Sequence, residues 1–401
     1  MTDPQNRLAA RKLAAVGLLL TLTLLGVFPI DVVLPSFPAL SEHFQSPSSD
    51  IALSVSLFAV GIALSQLLIG PLSDVMGRKN LLLIGITVAA VGATGCVLAD
   101  GYGSFLLFRI VQALGCGCFV LSQALIQDLF TGREQQRLRI FLVTCGGIFI
   151  SVSPLAGTVL QSWMGWRGSF LVFIALAICV FAWAWRLLER SPAGSQPRHF
   201  NFIAAYRKVL GDFSFMAYWL TSALAFSCHF SFIVISPLVL IDQLHLSPEA
   251  FSLVLLGYGL AYIGGGFVAT MLSNRIDPQT QIIMGLGLIL AAGLLMLGLA
   301  NHLGLSITTL LLPMIVCTAG TTIARAAANN QAMTLFPAQA GTSASAGSVL
   351  IFIVGGLISA VISLTPLDLQ VALALCLVLL SLLGLGLNAL LRQRNRGLLA
   401  G

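Results

Sequence analysis

The chain has 401 residues, of which 58% are hydrophobic and only 8% are charged, and its mean hydropathy is +0.98. This composition excludes a soluble domain, because charged residues must cover much of a surface that faces water. The formal net charge of +6 does not indicate nucleic-acid binding, since most of the basic residues lie in the tails and in short loops between apolar runs. We therefore predict an integral membrane protein with no nucleic-acid partner.

Twelve apolar runs of membrane-spanning length follow one another along the chain. A helix needs about 20 apolar residues to cross the hydrocarbon. On that rule we predict spans near 13–35, 50–72, 80–99, 104–127, 138–160, 167–188, 214–241, 248–273, 279–300, 304–328, 342–364 and 368–391. The first run has basic residues before it but no small-residue cleavage site, so we predict an uncleaved helix rather than a signal peptide.

A polar, basic stretch divides these spans six and six. We predict an N-terminal bundle (1–188), a cytoplasmic linker loop (189–213) and a C-terminal bundle (214–401). The run Leu72-Ser73-Asp74 recurs as Leu272-Ser273-Asn274 at the end of the second span of each half, which favours a duplicated six-helix unit. The predicted fold class is all-α integral membrane, with twelve transmembrane helices in two pseudo-symmetric six-helix bundles.

The loops differ in charge from one side of the predicted membrane to the other. Basic residues gather at the N-terminal tail, the turn after span 2, the linker and the C-terminal tail. The opposite loops are acidic, and Arg167 is their one basic residue. The positive-inside rule then places both termini and the linker in the cytoplasm.

Cysteines and histidines carry no sign of a metal site or an enzyme. All eight cysteines fall inside apolar runs, where they are predicted to be small buried residues rather than disulfides or ligands. The five histidines are scattered, and no nucleophile–base set accompanies them. An ATP-driven pump is excluded because the chain has no GxxxxGK[ST] loop. We therefore predict neither an enzyme nor a cofactor.

Two charged residues are predicted to lie inside the membrane, at Asp31 in span 1 and Arg109 in span 4. Charges at this depth cost about 2.5–3.5 kcal/mol on insertion scales, so they usually face a cavity and find a partner. A carboxylate set between an apolar surround and a cation changes its proton affinity when either one moves. We predict that Asp31 and Arg109 are the proton-coupling pair; a static bridge between the two helices is the alternative.

Polar and aromatic residues in spans 4 and 7 are candidates for a substrate cavity. In span 4, residues Arg109, Gln112, Cys116 and Gln123 fall on one face of an ideal helix. Span 7 holds a histidine among phenylalanines, for which packing is the alternative role. The residues assigned to the cavity are Gln112, Gln123, His229, Phe226, Phe230 and Tyr258.

Two further segments carry structural signals. The junction GPLSDVMGRK between spans 2 and 3 combines glycines and charges at set spacings, as in a structural joint. In span 5, glycines allow close backbone contact and a proline bends the helix. The span 5 residues concerned are Gly147, Pro154 and Gly157.

GPLSDVMGRK resembles the loop 2–3 signature of the major facilitator superfamily, with Val75 where that family often has a basic residue. The run LLFRIVQALGCG looks like the family's span 4 signature, whose arginine is tied to proton transfer, and the run around Pro154 is similar to its antiporter signature. IDVVLPSFPAL, QDLFTGREQQR, GWRGSF and FPAQAGTSASA resemble drug:proton antiporters of the Bcr/CflA type, and ISPLVLID resembles MdfA-like exporters. The second acid that some of these exporters carry is replaced here by Thr23.

The resemblance implies a proton-coupled exporter of small apolar or cationic compounds in a bacterial inner membrane, working by alternating access with its cavity between the halves. Asp31 is then the coupling acid. The residues implied in a conformational latch are Gly70, Asp74, Gly77, Arg78, Asp128 and Arg137. Expected partners are the lipid bilayer, protons and a small-molecule substrate, and we expect a monomer. An importer of a polar metabolite, such as a nucleoside or sugar, is the alternative.

Overall fold

The structure is a computed structural model that describes residues 4–188, 202–273, 275–336 and 340–400. A few side chains inside these ranges, including those of Asp74 and Gln123, are not described. The described chain is helical and contains no strand. Twelve helical segments in it are long and apolar enough to cross a membrane, which confirms the predicted number of spans.

Eight helices make up the first part of the chain. They are α1 (Pro4–Asp31), α2 (Phe37–Phe44), α3 (Ser48–Met76), α4 (Arg78–Leu98), α5 (Tyr102–Cys116), α6 (Leu121–Leu129), α7 (Gly132–Met164) and α8 (Arg167–Leu187). Spans 1 and 4 are each made of two helices: a 3₁₀ turn at Leu34–Ser36 joins α1 to α2, and a 3₁₀ segment at Gly117–Val120 joins α5 to α6.

The second part contains seven helices. They are α9 (Phe202–Leu210), α10 (Phe213–Pro237), α11 (Pro248–Ser273), α12 (Pro278–Leu303), α13 (Ile307–Leu335), α14 (Ala340–Ser363) and α15 (Leu369–Ala400). Span 7 continues past Pro237 as a π-helical turn at Leu238–Gln243. Of the predicted linker, residues 189–201 lie outside the described residues, and α9 forms within the remainder.

The chain forms two compact units, one of residues 1–45 with 64–199 and one of residues 46–63 with 200–401. In the first, α1 packs against α7 and α8, and α4 packs against α5 and α8. In the second, α10 packs against α13, α14 and α15, and α12 packs against α13 and α15. The start of α3 belongs to the second unit, where the Ser56 and Ser359 hydroxyls are 2.8 Å apart. The domain bounds drawn from the sequence stay a prediction.

Helix contacts inside each unit rely on small residues and on a few buried polar groups. A Cβ built on Gly92 of α4 would lie 2.3 Å from the backbone nitrogen of Gln112 in α5, so only a glycine permits that approach. In the second unit, the amide nitrogen of Asn388 donates to the Thr221 hydroxyl over 2.8 Å. Such bonds between membrane helices stabilise their packing by about 0.6–2 kcal/mol each.

Candidate functional site

Asp31 lies at the point where the first helix ends. Pro29 stands inside the last turn of α1, and the Val32 N–H donates to the Phe28 carbonyl over 3.2 Å before the chain leaves the helix. The carboxyl group is buried in the first unit, with Asp31 only 6% exposed. The acid therefore sits at a helix break inside a span rather than along a continuous helix.

Arg109 reaches this break from α5 and is 1% exposed. Its Nη2 donates to the Pro29 carbonyl oxygen over 3.1 Å, and its Nη1 donates to Oε1 of Gln112 over 2.9 Å. The last four carbonyls of a helix have no donor within the helix, so the guanidinium supplies one that α1 lacks. Phe170 also lies beneath the guanidinium, with 5.7 Å between Cζ and the ring centroid.

The two charged residues are thus linked through the backbone of α1. Pro29 lies two residues before Asp31, so the guanidinium contacts the backbone next to the acid, and the proton-coupling pair and the static bridge both stay predictions. A small cavity of about 10 Å³ lies next to Pro29 and Gln112, near the lower limit for one water molecule. The buried carboxyl and the buried guanidinium are therefore close in the fold.

Gly157 of α7 packs against the segment that follows Asp31. A Cβ at this position would lie 2.2 Å from the Val32 carbonyl oxygen and 3.2 Å from Cδ of Pro35. One turn further along α7, Gln161 accepts a hydrogen bond of 2.7 Å from the Ser36 hydroxyl. The helix runs through Pro154 without ending, and the Gly147 carbonyl accepts from Ser151. The glycine of the predicted antiporter helix therefore fixes where the broken end of span 1 lies.

Span 4 is also interrupted, by the 3₁₀ segment that separates α5 from α6. Gly117 opens the 3₁₀ segment, and a Cβ there would lie 2.4 Å from the Ser65 hydroxyl oxygen. The Ser65 hydroxyl donates a hydrogen bond to the Leu114 carbonyl, near the end of α5. Gln112 is buried against Arg109, whereas the Gln123 side chain lies outside the described residues. The face predicted from Arg109 to Gln123 therefore stays a prediction beyond the 3₁₀ segment.

The junction after span 2 brings together two of the residues predicted for the latch. Gly77 has a φ of 79°, a conformation that glycine adopts without strain, and it ends α3. Arg78 Nε pairs with the Asp128 carboxylate over 2.9 Å. Lys79 donates to the Trp185 carbonyl over 2.6 Å and to the Leu188 carbonyl, so it caps the end of α8. Of the other residues predicted for the latch, Arg137 is exposed. The side chain of Asp74 and the burial of Gly70 are not described.

A second group of polar and aromatic side chains lies within the other unit, on α10, α11 and α13. We call it the arginine cluster, and its members are Phe226, His229, Tyr258, Tyr262 and Arg325. His229 Nδ1 and the Tyr258 hydroxyl are 2.6 Å apart, and the His229 and Tyr262 ring centroids are 4.9 Å apart. Arg325 Nη1 donates to the Tyr262 hydroxyl over 3.1 Å, and its Cζ lies 4.7 Å from the Phe226 centroid.

The cluster contains three of the residues assigned to the substrate cavity, and a fourth, Phe230, stacks on Phe226 at 5.3 Å. Two members were not assigned to it from the sequence. Arg325 stands 10 residues before the end of α13, about 15 Å along the axis. Tyr258 and Tyr262 are four residues apart on α11, a spacing that puts them on one face and could have indicated the cluster.

Comparison with known proteins decides the family. The profile described as Major Facilitator Superfamily matches residues 19–360. The chain belongs to the Major Facilitator Superfamily. A chloramphenicol resistance protein of Pseudomonas aeruginosa is 30% identical over 400 residues, covering 96% of this chain and 92% of that protein. The multidrug transporter MdfA of Yersinia pestis bv. Antiqua is 25% identical over 300 residues, 73% of each chain.

A solved structure supports the fold. The crystal structure of a D-xylose-proton symporter covers 93% of this chain and 97% of its own, with a TM-score of 0.73 at 16% identity. The predicted all-α facilitator fold of twelve helices is therefore confirmed, as is the likeness to exporters of this superfamily. This member of the superfamily is a multi-pass membrane transporter rather than an enzyme, and it acts on a small-molecule substrate.

Proposed function

We propose that this facilitator exports small apolar or cationic compounds from the cytoplasm in exchange for protons, by alternating access in a bacterial inner membrane. Asp31 takes up and releases the proton, and Arg109 moderates its proton affinity. Inward movement of one proton supplies about 2.3 kcal/mol per 100 mV, together with the contribution of the pH difference. Loss of the proton from Asp31 is favoured by substrate bound from the cytoplasm, and a proton from outside resets the cycle.

One observation carries the proposal: a carboxyl group is buried at the broken end of α1, next to a carbonyl held by Arg109. A carboxyl group buried inside a span is costly to keep, and in membrane proteins such residues usually mark a substrate or ion pathway or a proton relay. The names of the two relatives, a chloramphenicol resistance protein and a multidrug transporter, support export.

Asp31→Asn tests the coupling, because an amide has nearly the shape of a carboxyl group but does not take up a proton in this range. In inverted vesicles we expect uptake driven by a pH difference to fall at least tenfold, with normal membrane insertion. The matched control is Glu42→Gln, which makes the same change at an exposed position in α2 of the same span. Uptake by Asp31→Asn at the level of the control would refute the assignment.

The same vesicles distinguish export from import. An antiporter that accumulates substrate in inverted vesicles releases protons from their interior, so added substrate dissipates an acid interior. A symporter responds to substrate with proton movement in the same direction as the substrate. The likeness to the symporter structure concerns the fold alone and does not favour import.

The Arg78–Asp128 pair is proposed as part of the latch that stabilises the outward-open state. It joins the start of α4 to the end of α6 at the end of the unit that also carries the exposed Lys12–Glu134 pair. Exposed pairs contribute about 0–1 kcal/mol, enough to change the balance between two states of similar energy. Neutralising Asp128 should therefore change the distribution of states more than the stability of the fold.

A further inference from the structure

Arg325 is an arginine inside a span, and the described residues form no ion pair with it. It stands about 27 Å along α13 from Ile307 and about 15 Å from Leu335, so it lies inside the apolar span Ile307–Leu335. The ion pairs described in the structure join other residues, Lys12 to Glu134 and Arg78 to Asp128, both in the other unit. An ionisable residue at such a depth usually belongs to a functional site.

The guanidinium has one buried donor nitrogen, Nε, for which the described residues supply no acceptor. Nη1 donates to the Tyr262 hydroxyl. A guanidinium carries five N–H donors in a fixed plane, and a buried donor without an acceptor is unfavourable. Phe226 covers one face of that plane, so an acceptor has to approach the edge, where the N–H groups point.

The side chains around Arg325 indicate which kind of group would accept hydrogen bonds from its guanidinium. Arginine binds a planar group with two oxygens through two parallel hydrogen bonds, and these bonds are strongest when the group is an anion. Phe226 stacks on Phe230 at 5.3 Å and contacts Phe352 at 5.6 Å between ring centroids, which provides an aromatic surface next to the arginine. Tyr262 is only half-buried and adds a hydroxyl beside the same edge.

We infer that the arginine cluster binds the carboxylate of an aromatic organic acid, with Arg325 holding the carboxylate and Phe226 and Phe230 contacting the ring. The inference rests on the proposed function in that it concerns a substrate of the same transporter. It goes beyond the apolar and cationic compounds proposed above by adding compounds with an anionic end, because the like charge of Arg325 disfavours a cation at this position.

Binding to the purified full-length protein in detergent tests the inference without requiring transport. The probes are 4-phenylbenzoate, its methyl ester and 4-phenylbenzylamine, which share one aromatic body and differ in charge. We expect the benzoate to bind at least tenfold more tightly than the ester or the amine, the range of a charge-assisted hydrogen-bond pair. Equal binding of the three probes, tighter binding of the amine, or binding of none would overturn it.

Variants of Arg325 test whether this residue causes the preference for the benzoate. Arg325→Gln should abolish the preference for the benzoate, and Arg325→Lys, which keeps the charge but not the planar donors, should retain part of it. Arg275→Gln makes the same change at an exposed arginine outside the spans and should leave binding unchanged. A benzoate preference that survives in Arg325→Gln would also overturn the inference, and thermal unfolding of each variant verifies its fold.

The two proposals can fail separately. If the benzoate preference depends on Arg325 but no proton movement accompanies transport, the coupling proposed for Asp31 is wrong and the binding site stands. If proton-coupled export occurs but the benzoate has no preference, the arginine cluster is not the binding site and the proposed function stands.

Discussion

At the residue scale, Arg109 has a structural task as well as the proposed chemical one. Its guanidinium supplies a donor to the Pro29 carbonyl, two residues before Asp31, and a second donor to Gln112. The position of the buried acid therefore depends on the arginine through the backbone of α1. A change in the arginine should affect both the stability of the first unit and the behaviour of Asp31.

Arg109→Lys separates the charge from the geometry. A single ammonium cannot reproduce the planar fork that serves a carbonyl and an amide oxygen at once. We expect the free energy of unfolding in detergent to fall by about 1.5–3 kcal/mol, the range for a hydrogen bond to a charged group, and transport to fall with it. Gln112→Leu removes one acceptor only and should cost less. Wild-type stability and transport in Arg109→Lys would show that the charge alone matters.

Asp277, in the loop before α12, gives a residue-scale prediction for acid pH. Hydrogen bonds from the Thr280 hydroxyl at 2.7 Å and the Thr280 backbone N–H at 2.8 Å lower the pKa of this carboxyl below its usual range. A lowered pKa contributes stability above the unfolded-state pKa, which is lost as pH falls through the folded-state value. Asp277→Asn caps the helix without titrating, so the acid-induced loss of stability should be smaller in this variant below about pH 4. Identical pH profiles would refute this.

At the element scale, the spans could be predicted but their interruptions could not. Hydrophobic length alone gives twelve spans, because the cost of exposing a backbone to lipid leaves the helix as the only option for each run. Proline and glycine are common in membrane helices, so Pro29 and Gly117 did not mark the ends of α1 and α5 in the sequence. Those ends depend on donors from other helices, Arg109 and Ser65, which only tertiary packing brings into place.

The same limit explains which site residues were found. Asp31 and Arg109 stand out because they are charged residues in apolar runs. Gln112 could be predicted because it lies on the same face of an ideal helix as Arg109. Arg325 was overlooked because it stands only a few turns from polar residues at the end of its span, where solvation is the simpler explanation. Its contacts with Tyr262 and Phe226 join side chains of three different helices, and the periodicity of a single helix cannot predict contacts between helices.

Gly157→Ala tests whether the contact between α7 and the broken end of span 1 matters. The added Cβ would meet the Val32 carbonyl oxygen at 2.2 Å, so the backbone after Asp31 has to move. Overpacking of this kind costs about 1–3 kcal/mol, and we expect lower stability together with slower proton-coupled transport. Gly287→Ala in α12 is the control, since a Cβ there meets nothing within 4 Å. Equal behaviour of the two variants would show that the contact is dispensable.

At the scale of the whole molecule, the distribution of charge is expected to fix the orientation of the transporter in the bilayer. Basic residues occupy the loops on one side, including Arg78, Lys79 and the arginines after position 391, while Arg167 is the one basic residue in the opposite loops. Lysine and arginine are retained on the cytoplasmic side during insertion, so both termini should be cytoplasmic.

Fusions at two positions of the full chain measure this orientation. Green fluorescent protein joined after Gly401 should fluoresce, and alkaline phosphatase at the same place should be inactive, because each folds on only one side of a bacterial inner membrane. Alkaline phosphatase inserted at Gly101, in the loop between α4 and α5, should be active. Replacing Arg78 and Lys79 with glutamine weakens the charge difference and should reduce both signals. An active phosphatase after Gly401 would show that the C-terminus lies outside the cytoplasm. It would then contradict the proposal that substrate enters from the cytoplasm.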